Sequence, residues 1–91
     1  MGNTQFEYDE EKSLANKDKH GIDFVQAATL WEDDRLICLQ SKVKTDEERL
    51  LFIGQITTKH WTAIATQRGD CLRIISVRRS RKNEVNLYES Q

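Results

Sequence analysis

Residues 16–24 read Asn-Lys-Asp-Lys-His-Gly-Ile-Asp-Phe, and this stretch predicts that one helix ends and a second begins. Gly21 can adopt the left-handed conformation that follows a helix C-cap, with Ile22 beyond it placed to contact the last turn. Asp23 is a predicted N-cap whose carboxylate accepts from the backbone N–H of Gln26, and the Gln26 side chain can complete a capping box. The corner therefore predicts two consecutive helices in the N-terminal part of the chain.

Outward from this corner, apolar spacing predicts three helices and four strands in all. The predicted helices are Asp9, as N-cap, to about Lys19; Phe24 to about Leu30; and Ser80, as N-cap, to Glu89. The predicted strands are Arg35 to Gln40, Glu48 to Ile56, His60 to Gln67 and Cys71 to about Arg78. We therefore predict one domain over residues 1–91 with an α+β fold: two N-terminal helices, a four-stranded antiparallel sheet and a C-terminal helix.

Three short apolar segments refine this prediction. Leu14 and Ala15 are the apolar residues of the first helix, so its packing stripe is narrow and the helix is expected on the surface. Phe6 and Tyr8 precede it in a short extended segment that we assign to no strand. The continuous apolar run at residues 50–53 indicates a central strand that is covered on both faces.

The composition is that of a charge-rich, soluble chain, with 37% apolar and 32% charged residues. Nothing resembles a signal peptide or a membrane span, so a cytoplasmic location is expected. The net charge of −1 conceals an asymmetry: residues 1–58 hold 7 Lys/Arg against 12 Asp/Glu, a balance of −5, whereas residues 59–91 hold 7 against 3, a balance of +4. The basic C-terminal part offers phosphate contacts, and the acidic N-terminal part suggests a surface for a different partner.

Five cations are concentrated on the last predicted strand and the turn after it: Arg73, Arg78, Arg79, Arg81 and Lys82. The planar guanidinium of arginine binds phosphate through two parallel hydrogen bonds and can stabilise charge that develops on phosphate oxygens. The same residues are compatible with a solvated strand edge, or with an ion pair between Arg81 and Glu84. The cluster is therefore a candidate phosphate-binding site.

Three further groups of residues each have a candidate chemical role and a structural alternative. Lys19 and His20 can supply a cation and a proton carrier near neutral pH, or His20 can cap the first helix. Glu48 and Arg49 can pair a general base with a phosphate-binding cation, or form an exposed ion pair worth about 0–1 kcal/mol. Tyr88 can donate its hydroxyl to a ligand, or pack within the last helix.

Metal-binding patterns do not occur in the sequence. The two histidines and two cysteines show neither CxxC nor HxxxH spacing. Asp33 and Asp34 lie in a predicted turn, and sequence neighbours rarely converge on a pair of metal ions. Cys38 and Cys71 both lie in apolar runs, which is typical of free thiols that pack as small hydrophobes. We therefore predict neither a metal nor a cofactor.

Two blocks of residues span nearly the whole chain. The first is Phe6-x-Tyr8-Asp9 followed by Lys12, Asn16, Lys19-His20-Gly21-Ile22, Phe24 and Ala27. The second is Glu48-Arg49, Gly54, Arg73-Ile74-Ile75-Ser76-Val77-Arg78, Glu84 and Tyr88. In this order they resemble the BrnT toxins of bacterial type II toxin–antitoxin systems. The departures are Tyr8, where the family usually has Trp, and Val77 and Ser80, where it usually has Ala; they keep the charged groups.

The resemblance implies a compact α+β fold similar to RelE-type ribonucleases, with helices against an antiparallel sheet. It also implies a metal-independent endoribonuclease that arrests growth by cleaving cellular RNA. The implied partner is a BrnA-like antitoxin with a ribbon-helix-helix DNA-binding domain, which neutralises the toxin and represses the shared operon as a complex.

Metal-free RNA cleavage can use the substrate's own 2′-hydroxyl as nucleophile, so the protein has to position phosphate, move protons and stabilise charge. We hypothesise that Arg49, Arg73 and Arg78 hold the scissile phosphate. The other candidates are Glu48 or His20 as proton carriers, Lys19 and Tyr88 as assisting groups, and Arg79, Arg81 and Lys82 as contacts to RNA phosphates. The alternative is a module without catalysis that binds nucleic acid or another protein.

Overall fold

A computed structural model describes residues 4–41 and 48–91. Within them the elements are β1 (Gln5–Glu7), α1 (Glu10–His20), α2 (Phe24–Ala27), a 3-10 helix (Ala28–Glu32), β2 (Ile37–Gln40), β3 (Leu50–Ile56), β4 (Lys59–Arg68), β5 (Cys71–Arg79) and α3 (Lys82–Glu89). No helix in these ranges is long and apolar enough to cross a membrane.

The sheet has one more strand than the sequence predicts. Its order is β1-β5-β4-β3-β2, and the pairs among β2, β3, β4 and β5 are antiparallel as predicted. β1 adds a fifth strand at the edge and runs parallel to β5, with Gln5 opposite Cys71. The predicted count of four strands is therefore wrong, because the extended segment that contains Phe6 is a fifth strand. A strand of three residues is too short to show a period, and its pairing depends on a strand at the far end of the chain.

The corner between α1 and α2 forms as predicted. Gly21 has a φ of 83°, and its N–H donates to the carbonyl of Lys17 at 2.9 Å. The Asp23 carboxylate accepts from the N–H of Gln26 at 2.7 Å, and the Gln26 amide oxygen accepts from the N–H of Asp23 at 3.1 Å. The C-cap and the capping box therefore fix the direction in which the chain enters α2.

The packing of α1 is polar, which corrects the predicted apolar stripe. Leu14 is 66% exposed, whereas Ser13 and Asn16 are buried. The Asn16 amide donates to the carbonyls of Ile22 at 2.8 Å and Val77 at 2.9 Å, and its oxygen accepts from the N–H of Val77 at 3.1 Å. One side chain thus joins α1, the corner and β5. Buried polar groups give no apolar period, so sequence spacing alone could not predict this face.

Two helix boundaries also differ from the prediction. α2 ends at Ala27 and continues as a 3-10 helix, where the Thr29 hydroxyl donates to the Gln26 carbonyl at 2.7 Å and so competes for helical backbone bonding. α3 begins at Lys82 with Arg81 rather than Ser80 as its N-cap. Ser80 instead binds β4, because its N–H donates to the carbonyl of His60 at 3.1 Å.

The sheet has two different faces. One packs under α1, α2 and the 3-10 helix and contains the main apolar core: Ile22, Phe24, Ala27, Leu30, Phe52, Trp61, Ala63, Ala65, Leu72, Ile74 and Val77. Alternate residues of β4, Trp61, Ala63 and Ala65, belong to this core. The second face carries successive rows of paired residues: Ile53–Thr62–Arg78, Leu51–Ile64–Ser76 and Thr66–Arg73. α3 lies over the first of these rows, because its Glu84 bonds to Thr62 and Arg78.

Candidate active site

Two arginines lie two strands apart on the second face. Arg49 directly precedes β3, and its alternation with Leu51 places it on this face. The next strand contributes Thr66, whose hydroxyl donates to the carbonyl of Glu48 at 2.9 Å and which pairs with Arg73 in β5. We call Arg49, Thr66 and Arg73 the arginine row. Because neighbouring strands are about 4.8 Å apart, both guanidinium groups can reach one phosphate.

The arginine row has unused hydrogen-bond donors. The Nε of Arg49 is buried and has no hydrogen-bond partner within residues 4–41 and 48–91. The Arg73 guanidinium donates from Nη1 to the Glu7 carboxylate at 3.2 Å, in a partly exposed pair. A buried donor without a partner is unfavourable, and a bound anion would satisfy it. Glu48 is exposed beside an open cavity of about 170 Å³ that Thr66 also lines.

Arg78, the third predicted phosphate ligand, is occupied by another group. Its Nη1 and Nη2 donate to the two carboxylate oxygens of Glu84 at 2.8 and 2.9 Å. The same carboxylate accepts from the Thr62 hydroxyl at 2.9 Å and from the backbone N–H of Arg81 at 2.8 Å. The predicted pairing of Arg81 with Glu84 thus exists through the backbone, while Arg78 supplies the guanidinium. Arg78 therefore joins β5 to α3 in this structure.

These bonds change the protonation behaviour of the pair. Hydrogen bonds from Arg78, opposed by burial and supported by Arg81 and Thr62, lower the pKa of Glu84 from 4.5 to about 2. The hydrogen bond to Glu84, opposed by burial, raises the pKa of Arg78. Both groups are therefore charged at neutral pH, and each neutralises the other.

Glu84 should make folding depend on acidity. Its pKa is lower in the folded state than in the unfolded chain, so its stabilising contribution is complete above about pH 4.5 and is lost as the pH falls toward 2. A shift of this size corresponds to roughly 3 kcal/mol at most. Urea unfolding measured between pH 2 and 6 checks the prediction, with Glu84→Gln as the control that should lack this part of the slope. An equal slope in wild type and Glu84→Gln would contradict it.

Tyr88 lies at the other end of α3 and is also occupied. It is buried, and its hydroxyl donates to the Asp33 carboxylate at 2.6 Å. Burial and the bond to Asp33 raise the pKa of Tyr88 to about 12. Burial opposes the ionisation of Asp33, but bonds from Tyr88 and from the N–H groups of Arg35 and Gln55 outweigh it and lower the pKa of Asp33. Tyr88 therefore anchors the helix as a neutral donor.

Further contacts hold the C-terminal end of α3 on the sheet. His60 Nε2 lies 2.7 Å from a carboxylate oxygen of Glu89, and its ring meets the ring of Tyr88 edge-on at 5.1 Å. The Gln91 amide donates to the carbonyl of Arg35 at 2.7 Å. His60 and Asp33 were not among the predicted site residues, and both serve to hold α3 on the sheet.

Lys19 and His20 lie on the helical side of the sheet. The chain leaves β1 beside Arg73, and α1 reaches Val77 through Asn16, so α1 runs in the direction of β5. His20 is four helical residues beyond Asn16, about 6 Å further along. Lys19 is exposed and His20 is half-buried. Both therefore lie near the C-terminal end of β5, away from the arginine row.

The remaining predicted phosphate contacts lie at this same end of β5. Arg79 belongs to the helical face, where its guanidinium stands 5.5 Å from the ring centre of Trp61. Arg81 and Lys82 are exposed at the start of α3. Arg73 and Arg78 pair with Thr66 and Thr62, which are four residues apart on β4, so the two arginines lie about 13 Å apart along the sheet. The predicted cations are therefore divided between two ends of one strand.

Acidic and sulfur-containing side chains are dispersed. Within residues 4–41 and 48–91, no group of three or more His, Cys, Asp or Glu side chains is placed to hold a metal ion. Cys38 is exposed, Cys71 is half-buried, and both are free thiols.

Comparison with known protein families covers most of the chain. Residues 8–84 match the family model described as the ribonuclease toxin BrnT of type II toxin-antitoxin systems. The chain belongs to the BrnT family. The resemblance drawn from its sequence is thereby confirmed, and no curated protein matches the chain. As a BrnT protein it is a ribonuclease toxin, with RNA as its substrate and an antitoxin as its partner.

Within this BrnT toxin, only part of the predicted site is brought together. Arg49 and Arg73 share one row, with Glu48 next to Arg49 in the chain. The other predicted residues lie elsewhere: Arg78 under α3, Tyr88 on the buried side of α3, and Lys19, His20, Arg79, Arg81 and Lys82 around the end of β5. The matched region includes the arginine row and Glu84 but ends before Tyr88.

Proposed function

We propose that this BrnT toxin is a metal-independent endoribonuclease that cleaves cellular RNA and so arrests growth, with Arg49 and Arg73 holding the scissile phosphate. The observation that supports the proposal is the arginine row, in which a buried donor of Arg49 has no partner within the described residues and Arg73 is only partly occupied. Two guanidinium groups offer the paired N–H donors that a phosphodiester binds best.

The reaction that suits these groups is transfer of the phosphodiester to the adjacent 2′-oxygen. The 2′-hydroxyl loses its proton to a base and its oxygen bonds to phosphorus. The bond from phosphorus to the 5′-oxygen breaks, and that oxygen takes up a proton. The products are a 2′,3′-cyclic phosphate and a 5′-hydroxyl. Charge develops on the phosphate oxygens, where the two arginines stabilise it.

Glu48 is the nearer of the two proposed proton carriers, because it directly precedes Arg49 in the chain, although alternation turns its side chain toward the other face at the edge of the sheet. It is exposed, and its backbone carbonyl is fixed by the Thr66 hydroxyl of the arginine row. His20 lies near the opposite end of β5, so it is the second candidate. Proton transfer by a positioned side chain typically contributes 10²–10⁴-fold to the rate.

The cations at the end of β5 extend the proposed RNA path. About 13 Å separates Arg73 from Arg78, which corresponds to about two nucleotides of extended strand. In the proposal, Lys19, Arg79, Arg81 and Lys82 contact phosphates that flank the cleaved bond. Arg78 and Tyr88 act indirectly, because their bonds to Glu84 and Asp33 hold α3 beside the site.

The proposed biological setting is a RelE-type toxin acting in the cytoplasm. Its antitoxin would be BrnA-like, with a ribbon-helix-helix domain that binds operator DNA, and the complex would repress its own operon. The BrnT family membership supports a toxin–antitoxin pair of this general kind.

Purified toxin tests the proposal directly. Incubated with RNA in EDTA, it should produce fragments that end in 2′,3′-cyclic phosphate, and its expression without antitoxin should halt growth. RNA that binds but stays intact would instead favour a non-catalytic binding module. Cleavage that requires added divalent metal would contradict the proposed mechanism.

A further inference from the structure

An aliphatic strip crosses the second face between α3 and the arginine row. Leu39 pairs with Leu51, which pairs with Ile64, so the three side chains stand next to one another on three strands. Leu39 is 36% exposed, and Leu51 and Ile64 are half-buried. α3 adds Leu87, which is 45% exposed. We call these four residues the aliphatic strip.

Leu87 belongs to the strip because of the way α3 is anchored. Glu84 and Tyr88 face the sheet, and Glu89 turns toward His60 at the outer end of β4. Residues two positions apart on a helix are separated by about 200°. Leu87 therefore faces away from His60, toward the rows of the sheet that no described residue covers.

The space that the described residues leave uncovered beside α3 can take one helix. On β4, the row under α3 contains Thr62 and the arginine row contains Thr66, four residues or about 13 Å further along the strand. The aliphatic strip forms the floor between them and spans three strands, about 10 Å across. Packed helices have axes about 8–10 Å apart, so one helix placed beside α3 would lie over the strip and reach the arginine row.

RNA binding explains the cations of the arginine row, but it does not explain the exposed side chains of the aliphatic strip. Proteins hold unpaired bases mainly by stacking them on aromatic rings or guanidinium planes, and the strip is wholly aliphatic. Amphipathic helices, in contrast, bind apolar grooves through residues spaced three and four apart. A helix with carboxylates along one edge would also satisfy Arg49 and Arg73.

We infer that the antitoxin of this toxin inserts an amphipathic helix between α3 and the arginine row, with aliphatic side chains on the strip and carboxylates on Arg49 and Arg73. Bound there, the helix excludes the RNA phosphate, because both anions use the same donors. This consequence rests on the proposed function of the arginine row, whereas the docking position itself rests on the strip and its charges.

Substitution of the two exposed leucines tests the docking position. Leu39→Glu and Leu87→Glu should each weaken binding of the purified cognate antitoxin at least 30-fold by calorimetry, because each puts a charge into an apolar contact and next to the helix's carboxylates. Leu14→Glu is the matched control: Leu14 is 66% exposed on α1, against the opposite face, and its change should leave affinity within threefold. Circular dichroism and thermal unfolding of all three variants show that they are folded.

Antitoxin affinity that is unchanged in both Leu39→Glu and Leu87→Glu overturns the inference, and so does a loss confined to Leu14→Glu. RNA cleavage by the free variants should remain within threefold of wild type. If cleavage falls while antitoxin affinity is kept, the strip binds RNA and the inference is wrong. Calorimetry does not depend on catalysis, so a wild-type protein that fails to cleave RNA removes the proposed function and leaves the docking test decisive.

Discussion

Arg49→Ala is expected to slow RNA cleavage by roughly 10²–10³-fold, the loss that accompanies removal of one preorganised donor to a charged transition state. The Arg49 Nε is buried without a partner within the described residues, so the substitution removes an unsatisfied donor rather than a stabilising bond. The free energy of unfolding should therefore change little. Single-turnover cleavage of a short RNA measures the rate, and urea unfolding measures stability.

Two companion variants separate charge from geometry. Arg49→Lys keeps the charge but not the planar pair of donors, so its rate should fall between those of Arg49→Ala and wild type. Lys12→Ala removes one exposed cation from α1 on the other face, and its rate should match wild type. If Arg49→Ala is folded and cleaves RNA as fast as wild type, the arginine row is not the site of phosphate binding.

Glu84→Ala is expected to lower the free energy of unfolding by about 3–5 kcal/mol, as when one partner of a buried ion pair is removed. Glu84 is only 5% exposed and accepts from Arg78, Thr62 and the N–H of Arg81. Its removal leaves the Arg78 charge without compensation and two further donors without an acceptor. Small domains have total stabilities of about 5–15 kcal/mol, so the variant should be close to unfolding at 37 °C.

The matched control is the other carboxylate of α3. Glu89→Ala breaks the exposed contact with His60 and should change the free energy of unfolding by less than about 1 kcal/mol. A double variant, Arg78→Met with Glu84→Leu, should regain much of the stability that Glu84→Ala loses. If this double variant is folded and still cleaves RNA, Arg78 has a structural role. Urea unfolding in which Glu84→Ala and Glu89→Ala lose equal stability would contradict the prediction.

The sequence predicts local structure correctly where neighbouring residues determine it. The corner at Gly21 and Asp23 forms as predicted because a C-cap and a capping box need only residues within four positions of each other. The four antiparallel strands follow from short apolar or alternating segments that are bounded by polar turns. The inner and outer faces of β4 follow from its alternation.

Long-range polar pairs could not be predicted from the sequence in the same way. Tyr88 and Asp33 are 55 positions apart, and neither residue type indicates which partner it will find. Asn16 joins α1 to β5 across 61 positions, and its only signal was the family resemblance. The charged cluster around Arg78 illustrates the consequence for function: composition identifies the cations, but only the fold shows which of them a carboxylate already holds.

The pairing of β1 with β5 bears on how this toxin folds during synthesis. Gln5 and Cys71 are separated by 66 positions, so the pairing of β1 with β5 joins two segments that are far apart in the sequence. High contact order of this kind slows folding, since the loop-closure entropy must be overcome before the pairing contributes. Arg73 stands on β5 opposite Glu7 in the same pairing. A ribosome-bound chain that has not yet released β5 therefore lacks one of the two arginines, and the proposed nuclease site is assembled only after β5 has emerged and paired.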